Sequence, residues 1–252
     1  VARHWVEEFN IDGWRLDVAN EVDQEFWRDF RRVVKGINPD CYILGEIWHE
    51  GMPWLRGEQY DSLMNYPLTQ ALTDYFALNA YDKSVFMDAV TSSYLSYPKN
   101  INEAMFNLLE SHDTTRLISL CDGDKRKAKL AYLFMFTQVG SPCIYYGGEI
   151  AMDGRKGWGK EDNRKCMVWE EADQDLDFKA FIQSLIQLRK KHPELNASEM
   201  QWLDVAHSDV VASQKANLRF ALNNGDTVVD IDLDGSTIQL EPYGYKILGT
   251  SV

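Results

Sequence analysis

The chain has 252 residues, of which 45% are hydrophobic and 26% are charged, a composition typical of folded globular proteins and not of disordered ones. Its 39 acidic and 26 basic residues leave a formal net charge of −13. A surface of this charge repels phosphate and excludes nucleic acid and anionic membranes as expected partners. The longest apolar run, residues 130–136, is too short to span a bilayer.

The sequence begins with Val1 and shows neither an initiator methionine nor a signal-peptide pattern. We therefore expect an internal start within a longer polypeptide, located in the cytoplasm. The 4 cysteines have no metal-type spacing and are too sparse for a disulfide scaffold, so we expect buried free thiols. They are Cys41, Cys121, Cys143 and Cys166.

Helix and strand patterns alternate from the start of the chain. Residues 3–10 have helical spacing, and residues 14–18 alternate apolar with charged side chains, as a strand does. An amphipathic helix is predicted around residues 26–34, and it is followed by a mostly apolar strand over residues 41–48. An unbroken apolar strand is typical of a parallel sheet that is covered on both faces.

The alternation continues to about residue 197. It predicts strands over 62–65, 105–110 and 142–146, and helices over 69–79, 84–93, 125–138 and 178–190. The later sequence changes to short alternating segments that are separated by Asn-Gly and Asp-Gly turns, which predicts antiparallel hairpins. These segments are 210–213, 218–222, 227–233, 237–240 and 245–248.

The first 197 residues therefore predict an α/β fold with about five parallel strands. Polar residues cluster where these strands end, and a (β/α)8 TIM barrel has its active site on that face. They are Asp17, Glu46, Asn65, His112, Asp113 and Tyr146. We expect residues 1–197 to form part of such a barrel and residues 198–252 to form a small antiparallel β-sandwich domain.

Two of these strand ends carry carboxylates in contrasting surroundings. Arg15 and Asp17 share one face of their strand, where the cation favours the ionised carboxylate that a nucleophile needs. The alternative is a structural ion pair. Glu46 ends an apolar strand beside Trp48, and desolvation there raises the pKa of a carboxyl towards that of a general acid. The alternative is a solvated capping glutamate.

A third carboxylate, Asp113, follows His112, although such a pair is also common as a structural contact. Carboxylates at neighbouring strand ends with contrasting surroundings predict glycoside hydrolysis. Trp48, Tyr66 and Tyr146 are the aromatic residues best placed to stack on sugars.

Three segments together resemble the α-amylase family of glycoside hydrolases. Residues 12–21 resemble its nucleophile segment, residues 45–48 its acid/base segment and residues 110–116 the segment of its third acid. Residues 19–21 and 164–169 resemble the neopullulanase, cyclomaltodextrinase and maltogenic amylase subgroup. The resemblance implies the C-terminal portion of the barrel, about strands 4–8.

By this resemblance, Asp17 is the nucleophile, Glu46 the general acid/base and Asp113 the transition-state stabiliser. Arg15 and His112 are implied to be the supporting partners of these carboxylates at the bond that is cut. Asn20, Glu21 and Trp48 are implied to lie near the acceptor side, and Arg164 is implied to contact a sugar on the donor side. The sequence shows no pattern of metal-binding residues. Family members often bind calcium, largely through segments that this sequence does not contain, so we expect no cofactor. Lys160 stands where the subgroup usually has an aspartate, four residues before Arg164.

The expected activity is retaining hydrolysis of α-glucosidic bonds in maltooligosaccharides, cyclodextrins, pullulan or starch. One alternative is a catalytically incompetent fragment, structural or carbohydrate-binding, and another is a glucanotransferase that uses the same residues. Five barrel strands leave two open edges, which predicts a homodimer or a separate N-terminal segment that supplies the missing strands.

Overall fold

A computed structural model describes residues 1–157, 160–197, 199–233 and 235–249. Within these ranges the α-helices are α1 (Ala2–Phe9), α2 (Gln24–Ile37), α3 (Tyr66–Leu72), α4 (Lys83–Leu95), α5 (Lys99–Ala104), α6 (Leu117–Leu120), α7 (Lys125–Thr137) and α8 (Leu176–Lys191). The first strands are β1 (Gly13–Leu16), β2 (Tyr42–Gly45), β3 (Ser62–Leu63), β4 (Phe106–Asn107), β5 (Ser141–Pro142), β6 (Lys156–Gly157) and β7 (Lys160–Glu161).

Several helices begin at an aspartate whose side chain accepts backbone N–H groups of the first turn. Asp23 caps α2, Asp82 caps α4, Asp124 caps α7 and Asp175 caps α8. Such a cap satisfies N–H groups that have no partner within the helix. These caps fix where the predicted helices begin.

The parallel strands lie side by side in chain order. β1, β2 and β3 form one parallel sheet, a parallel bridge joins Met64 to Phe106, and β4 pairs in parallel with β5. This arrangement confirms an α/β fold with a parallel sheet. The strands are shorter than predicted, because the chain leaves the sheet just before the carboxylates: β2 ends at Gly45 instead of residue 48.

The main hydrophobic core surrounds α7, whose residues from Leu130 to Thr137 are all buried. It packs against α3, α4 and α8, and it includes Val211 and Phe220 from the later strands. A second cluster lies between α2 and the sheet and contains Trp27, Ile43 and Ile47.

The remaining strands are antiparallel, as predicted. They are β8 (Gln201–Leu203), β9 (Val210–Lys215), β10 (Leu218–Asn223), β11 (Val229–Leu233), β12 (Ser236–Leu240) and β13 (Tyr245–Gly249). β13, β10, β9 and β8 form one sheet, and β11 pairs with β12. A small apolar cluster that includes Ala212, Ala221 and Ile231 joins the two sheets. The domain boundary at residue 198 stays a prediction, and residue 198 itself lies outside the described residues.

All four cysteines are free, as expected. Cys41 and Cys121 are buried, whereas Cys143 is half-buried and Cys166 is exposed, so the expectation of burial is wrong for Cys166. Cys166 lies in an irregular segment that follows a short helical turn, away from the core. In the described part of the chain, no helix combines the length and apolar character needed to cross a membrane.

Candidate active site

Arg15 links the carboxylates at the ends of β1 and β2. Its Nη1 contacts Asp17 Oδ1, and its Nη2 lies 2.7 Å from Glu46 Oε1. The Asp17 side chain is 71% exposed, whereas that of Glu46 is 4% exposed. Because one guanidinium touches both groups, the two carboxylates face the same space. The predicted contact between Arg15 and Asp17 is present, and the contact with Glu46 was not predicted.

The backbone after β1 turns back towards Glu46. Glu46 N–H donates to Leu16 O at 2.9 Å, and Val18 N–H donates to Glu46 Oε2 at 3.0 Å. Val18 has a φ of 45°, a left-handed conformation that is costly for a β-branched residue. This strained turn aims a backbone donor at the buried carboxylate. Local sequence pattern did not reveal it, because the contact joins residues on separate strands.

Asp113 is surrounded by three basic side chains. His112 Nε2 lies 2.9 Å from Oδ2, while Lys156 Nζ and Arg164 Nη2 lie 3.0 Å and 2.9 Å from Oδ1. Burial opposes ionisation of this carboxyl, but the hydrogen bond from Lys156 and the positive charges of its neighbours hold the pKa of Asp113 below its ordinary value. Sequence reasoning missed Lys156, whose only signal is its place in a Gly- and Lys-rich loop.

Tyr66, at the start of α3, contacts the segment that precedes Asp113. Its hydroxyl lies 3.4 Å from Ser111 Oγ, next to His112 in the chain. Burial raises the pKa of Tyr66, and the negative charges of Glu46 and Asp113 raise it further. Through Ser111, Tyr66 is in contact with the segment that carries Asp113.

Trp48 covers the ring of Tyr66. The two rings are stacked, with centroids 3.9 Å apart and an interplanar angle of 6°. Trp48 is 50% exposed, so it keeps an open surface, whereas Tyr66 is buried beneath it. Because Tyr66 is buried, the prediction that its ring stacks on a sugar is wrong. The exposed face of Trp48 remains a candidate for that role.

Two other strand-end residues have structural contacts. Asn65 is buried, donates to Asn107 Oδ1 at 2.9 Å and caps α3, so it joins neighbouring strands and does not face the carboxylates. The Tyr146 hydroxyl donates to Lys165 O at 2.7 Å, while its ring remains partly exposed.

The implied substrate contacts are placed as follows. Asn20 donates to Glu21 Oε1 at 3.1 Å in the short helical turn after β1. Arg164 is bound to Asp113 and also donates to His112 O at 2.8 Å, so its contact with a sugar stays a prediction. The side chain of Lys160 lies outside the described part of the structure. Within that part, no group of three or more His, Cys, Asp or Glu side chains could hold a metal ion.

These observations define an α/β protein with carboxylates gathered at the carboxyl edge of a parallel sheet, the location of the active site in barrel enzymes. Residues 1–230 match the alpha amylase catalytic domain, and the chain belongs to that family.

Relatives narrow the comparison to the expected subgroup. The chain is 48% identical over 237 residues to the cyclomaltodextrinase of Geobacillus thermopakistaniensis (strain MAS1), covering 94% of this chain and 39% of that protein. It is 45% identical over 239 residues to the intracellular maltogenic amylase of Bacillus subtilis, covering 92% and 40%. A solved cyclomaltodextrinase superposes with a TM-score of 0.88 at 42% identity, covering 97% of this chain and 46% of that chain. The predicted subgroup is confirmed, and the chain spans about two fifths of the length of these curated relatives.

Proposed function

We propose that this chain carries the catalytic residues of a retaining glycoside hydrolase that cleaves α-glucosidic bonds in maltooligosaccharides, cyclodextrins, pullulan or starch. The observation that carries the proposal is the position of Arg15 between Asp17 and Glu46. Retaining enzymes need two carboxyl groups about 5–5.5 Å apart, and a single bridging guanidinium is compatible with that spacing. The names of the relatives support this substrate class.

The two carboxylates have different roles in this mechanism. Asp17 is open to solvent and paired with a cation, as a group that attacks the anomeric carbon requires. Glu46 shares Arg15 with Asp17, so its carboxyl faces the same space, where it would donate a proton to the leaving oxygen. Glu46 then removes a proton from water, which attacks the glycosyl–Asp17 ester, releases the sugar and returns both groups to their starting states.

Asp113 would stabilise the positively charged sugar in the transition state. The surrounding cations keep its carboxylate ionised, and an ionised group is the one that stabilises an oxocarbenium-like centre. Trp48 offers an exposed indole, stacked on Tyr66, to the acceptor sugar. By the family resemblance, Asn20 and Glu21 would also contact that sugar. We assign the five parallel strands to about strands 4–8 of a barrel and expect no cofactor and a cytoplasmic location.

The anomeric form of the first product tests the mechanism. Proton NMR of the products formed by the full reading frame that includes this chain should show α-anomers first, followed by mutarotation. Asp17→Asn should lower kcat by about 10³-fold or more, because the nucleophile is lost. The melting temperature should not change, because the Asp17 side chain is exposed and does not belong to the core. Initial β-anomers, or near wild-type turnover in the variant, would refute the assignment.

The glucanotransferase alternative differs only in the acceptor. Oligosaccharides longer than the substrate would accumulate if sugar replaced water, and product chromatography in the same assay distinguishes the two outcomes.

A further inference from the structure

Arg116 is a buried arginine that the proposed mechanism does not use. Its side chain is 0% exposed, and its guanidinium lies over the rings of Tyr145 and Tyr146 at 4.0 Å and 4.7 Å. Its Nη1 lies 3.2 Å from Glu110 Oε1, and burial raises the pKa of Glu110 to about 7. Removing both ions from water carries a desolvation penalty, so the pair is weak evidence of a stabilising role, and the other contacts of Arg116 indicate what it does.

The hydrogen bonds of Arg116 reach both flanks of one loop. These flanks, residues 153–156 and 162–165, lie at the two ends of the hairpin formed by β6 and β7, and the first includes the first residue of β6. The backbone N–H of Arg116 donates to Gly154 O at 2.9 Å, and its Nε donates to Asn163 O at 3.0 Å. Arg116 is thus hydrogen-bonded to both flanks.

Asn163 extends this attachment towards Asp113. It is fully buried, and its Nδ2 donates to His112 O at 2.8 Å and to Thr114 O at 2.9 Å. The flanks also approach each other closely at Gly154, where a Cβ atom would lie 2.5 Å from Asp162 O. The attachment therefore leaves little freedom for either flank to move relative to Asp113.

Each flank carries one of the cations that contact Asp113. Lys156 lies on the first flank and Arg164 on the second, and both reach Oδ1. The backbone of Lys156 is fixed as well, because its N–H donates to Thr115 Oγ1 at 3.1 Å. The positions of both cations therefore depend on the bonds that Arg116 makes.

We propose that Arg116, acting through Gly154 and Asn163, is a positioning residue that holds Lys156 and Arg164 against Asp113. Its relevance to catalysis rests on the proposed function, in which Asp113 stabilises the transition state. The structural claim itself does not depend on turnover, so it can be tested on the protein without substrate.

The test follows the carboxyl carbon of Asp113 by ¹³C NMR during an acid titration, with the resonance assigned by its loss in Asp113→Asn. The titratable and charged groups near this carboxyl are His112, Lys156 and Arg164, which contact it, together with Glu161, which pairs with Arg164, and Tyr66. Arg116→Met removes the Nε bond to Asn163 and keeps the backbone bond to Gly154, so it frees the flank that carries Arg164. The titration midpoint should therefore move upward, and Arg116→Lys should restore part of the shift. Amide exchange of the second flank, residues 162–165, should become about tenfold faster.

A matched control separates position from charge. Arg155 lies next to Lys156 but is exposed and contacts Ser119 and Asp122 instead of the buried network. Like Arg116→Met, Arg155→Met removes one positive charge, in this case from the flank that carries Lys156. It should leave the Asp113 midpoint nearly unchanged. An equal shift in this variant would show that net charge, and not positioning, is responsible, and would overturn the proposal.

A double-mutant cycle tests the route of the effect. If Arg116 acts through the two cations, Arg116→Met should add little to the midpoint shift that Lys156→Met with Arg164→Met already produces. Full additivity would overturn the proposal, as would a folded Arg116→Met with an unchanged midpoint. If Arg116→Met does not fold, Gly154→Ala decides: its Cβ displaces the Asp162 backbone, and an unchanged Asp113 midpoint in that variant contradicts the proposal.

Activity of the same variants separates this proposal from the proposed function. In the full reading frame, Arg116→Met should lower kcat more than it raises KM, because the cations act on a group used in the transition state. A shifted midpoint without any measurable hydrolysis in the wild type would support the positioning role and reject the proposed function.

Discussion

Arg15 has two tasks that a single sequence position does not reveal. Its nearness to Asp17 follows from strand alternation, since the two residues are two apart on one face. Its contact with Glu46 requires β1 and β2 to be adjacent and parallel, with Leu16 opposite Gly45. The positions of the three carboxylates at strand ends were predictable from the pattern, whereas Lys156, which contacts Asp113, comes from a distant part of the chain.

Replacing Arg15 tests this shared contact. Arg15→Met should lower kcat by about 10²–10³-fold, because both carboxylates lose the cation that orients them. Arg15→Lys should recover only part of the loss, since an ammonium is a point charge and cannot replace a fork with two donors. Steady-state kinetics of the full reading frame provide the measurement.

Arg28→Met serves as the control, because Arg28 lies on α2 and forms exposed ion pairs with Glu25 and Glu58. Its kcat should stay within twofold of the wild type. Turnover of Arg15→Met at a similar level would contradict the bridging role.

The elements that the sequence predicted well are those with a long, regular period. The helices α2, α4, α7 and α8 agree with the predicted segments to within a few residues. The strands β3, β4 and β5 have only two residues each, so their ends depend on pairing with neighbours and not on local pattern. The helices α5 and α6 have only 6 and 4 residues, and the strands β6 and β7 have 2 each, so all of them are too short to show a period in the sequence.

Asp61 joins two of these elements. Its carboxylate lies 2.7 Å from both Arg31 Nη1 and Lys35 Nζ on α2, and it accepts the N–H of Ile43 on β2 at 2.9 Å. Burial opposes ionisation, but the hydrogen bonds from Lys35, Arg31 and Ile43 hold the pKa of Asp61 below its ordinary value. The ionised group therefore stabilises the fold above the unfolded pKa, and this contribution is lost as the pH falls through the folded pKa.

Asp61→Asn should lower the free energy of unfolding by about 1–3 kcal/mol at pH 7, because charged hydrogen bonds are lost. Urea titrations at several pH values should show the difference from the wild type shrinking as the pH falls below about 4. Asp29→Asn is the control, since Asp29 pairs with Arg32 on the exposed surface and should change stability by less than about 0.5 kcal/mol. A difference for Asp61→Asn that is independent of pH would contradict the account.

At the scale of the whole molecule, the parallel and antiparallel parts share one core. Val211 and Phe220, on β9 and β10, pack in the same cluster as α7 and α8. The change of pattern near residue 198 revealed two kinds of structure, but it could not reveal that they are packed together. The expected N-terminal barrel strands and the expected homodimer stay predictions, because both concern partners of the strand edges and local pattern does not reveal such partners.

Phe220→Ala tests the shared core. It should lower the free energy of unfolding by about 3–5 kcal/mol, because a fully buried ring leaves a cavity. Tryptophan fluorescence and far-ultraviolet circular dichroism should still report one coincident transition. Val228→Ala, at a position that is 51% exposed, is the control and should have little effect. Two separate transitions, with only the antiparallel part destabilised, would contradict a common core.

The central claim is that Asp17 forms the covalent bond to the sugar. The most direct measurement is mass spectrometry of peptides after inactivation of the full reading frame with a 5-fluoro-α-glucosyl fluoride, which slows release of the covalent intermediate. The account predicts one added fluoroglucosyl group on the peptide that contains Asp17, and none in Asp17→Asn. A label on the peptide of Glu46 or Asp113, or inactivation without any label, would contradict it.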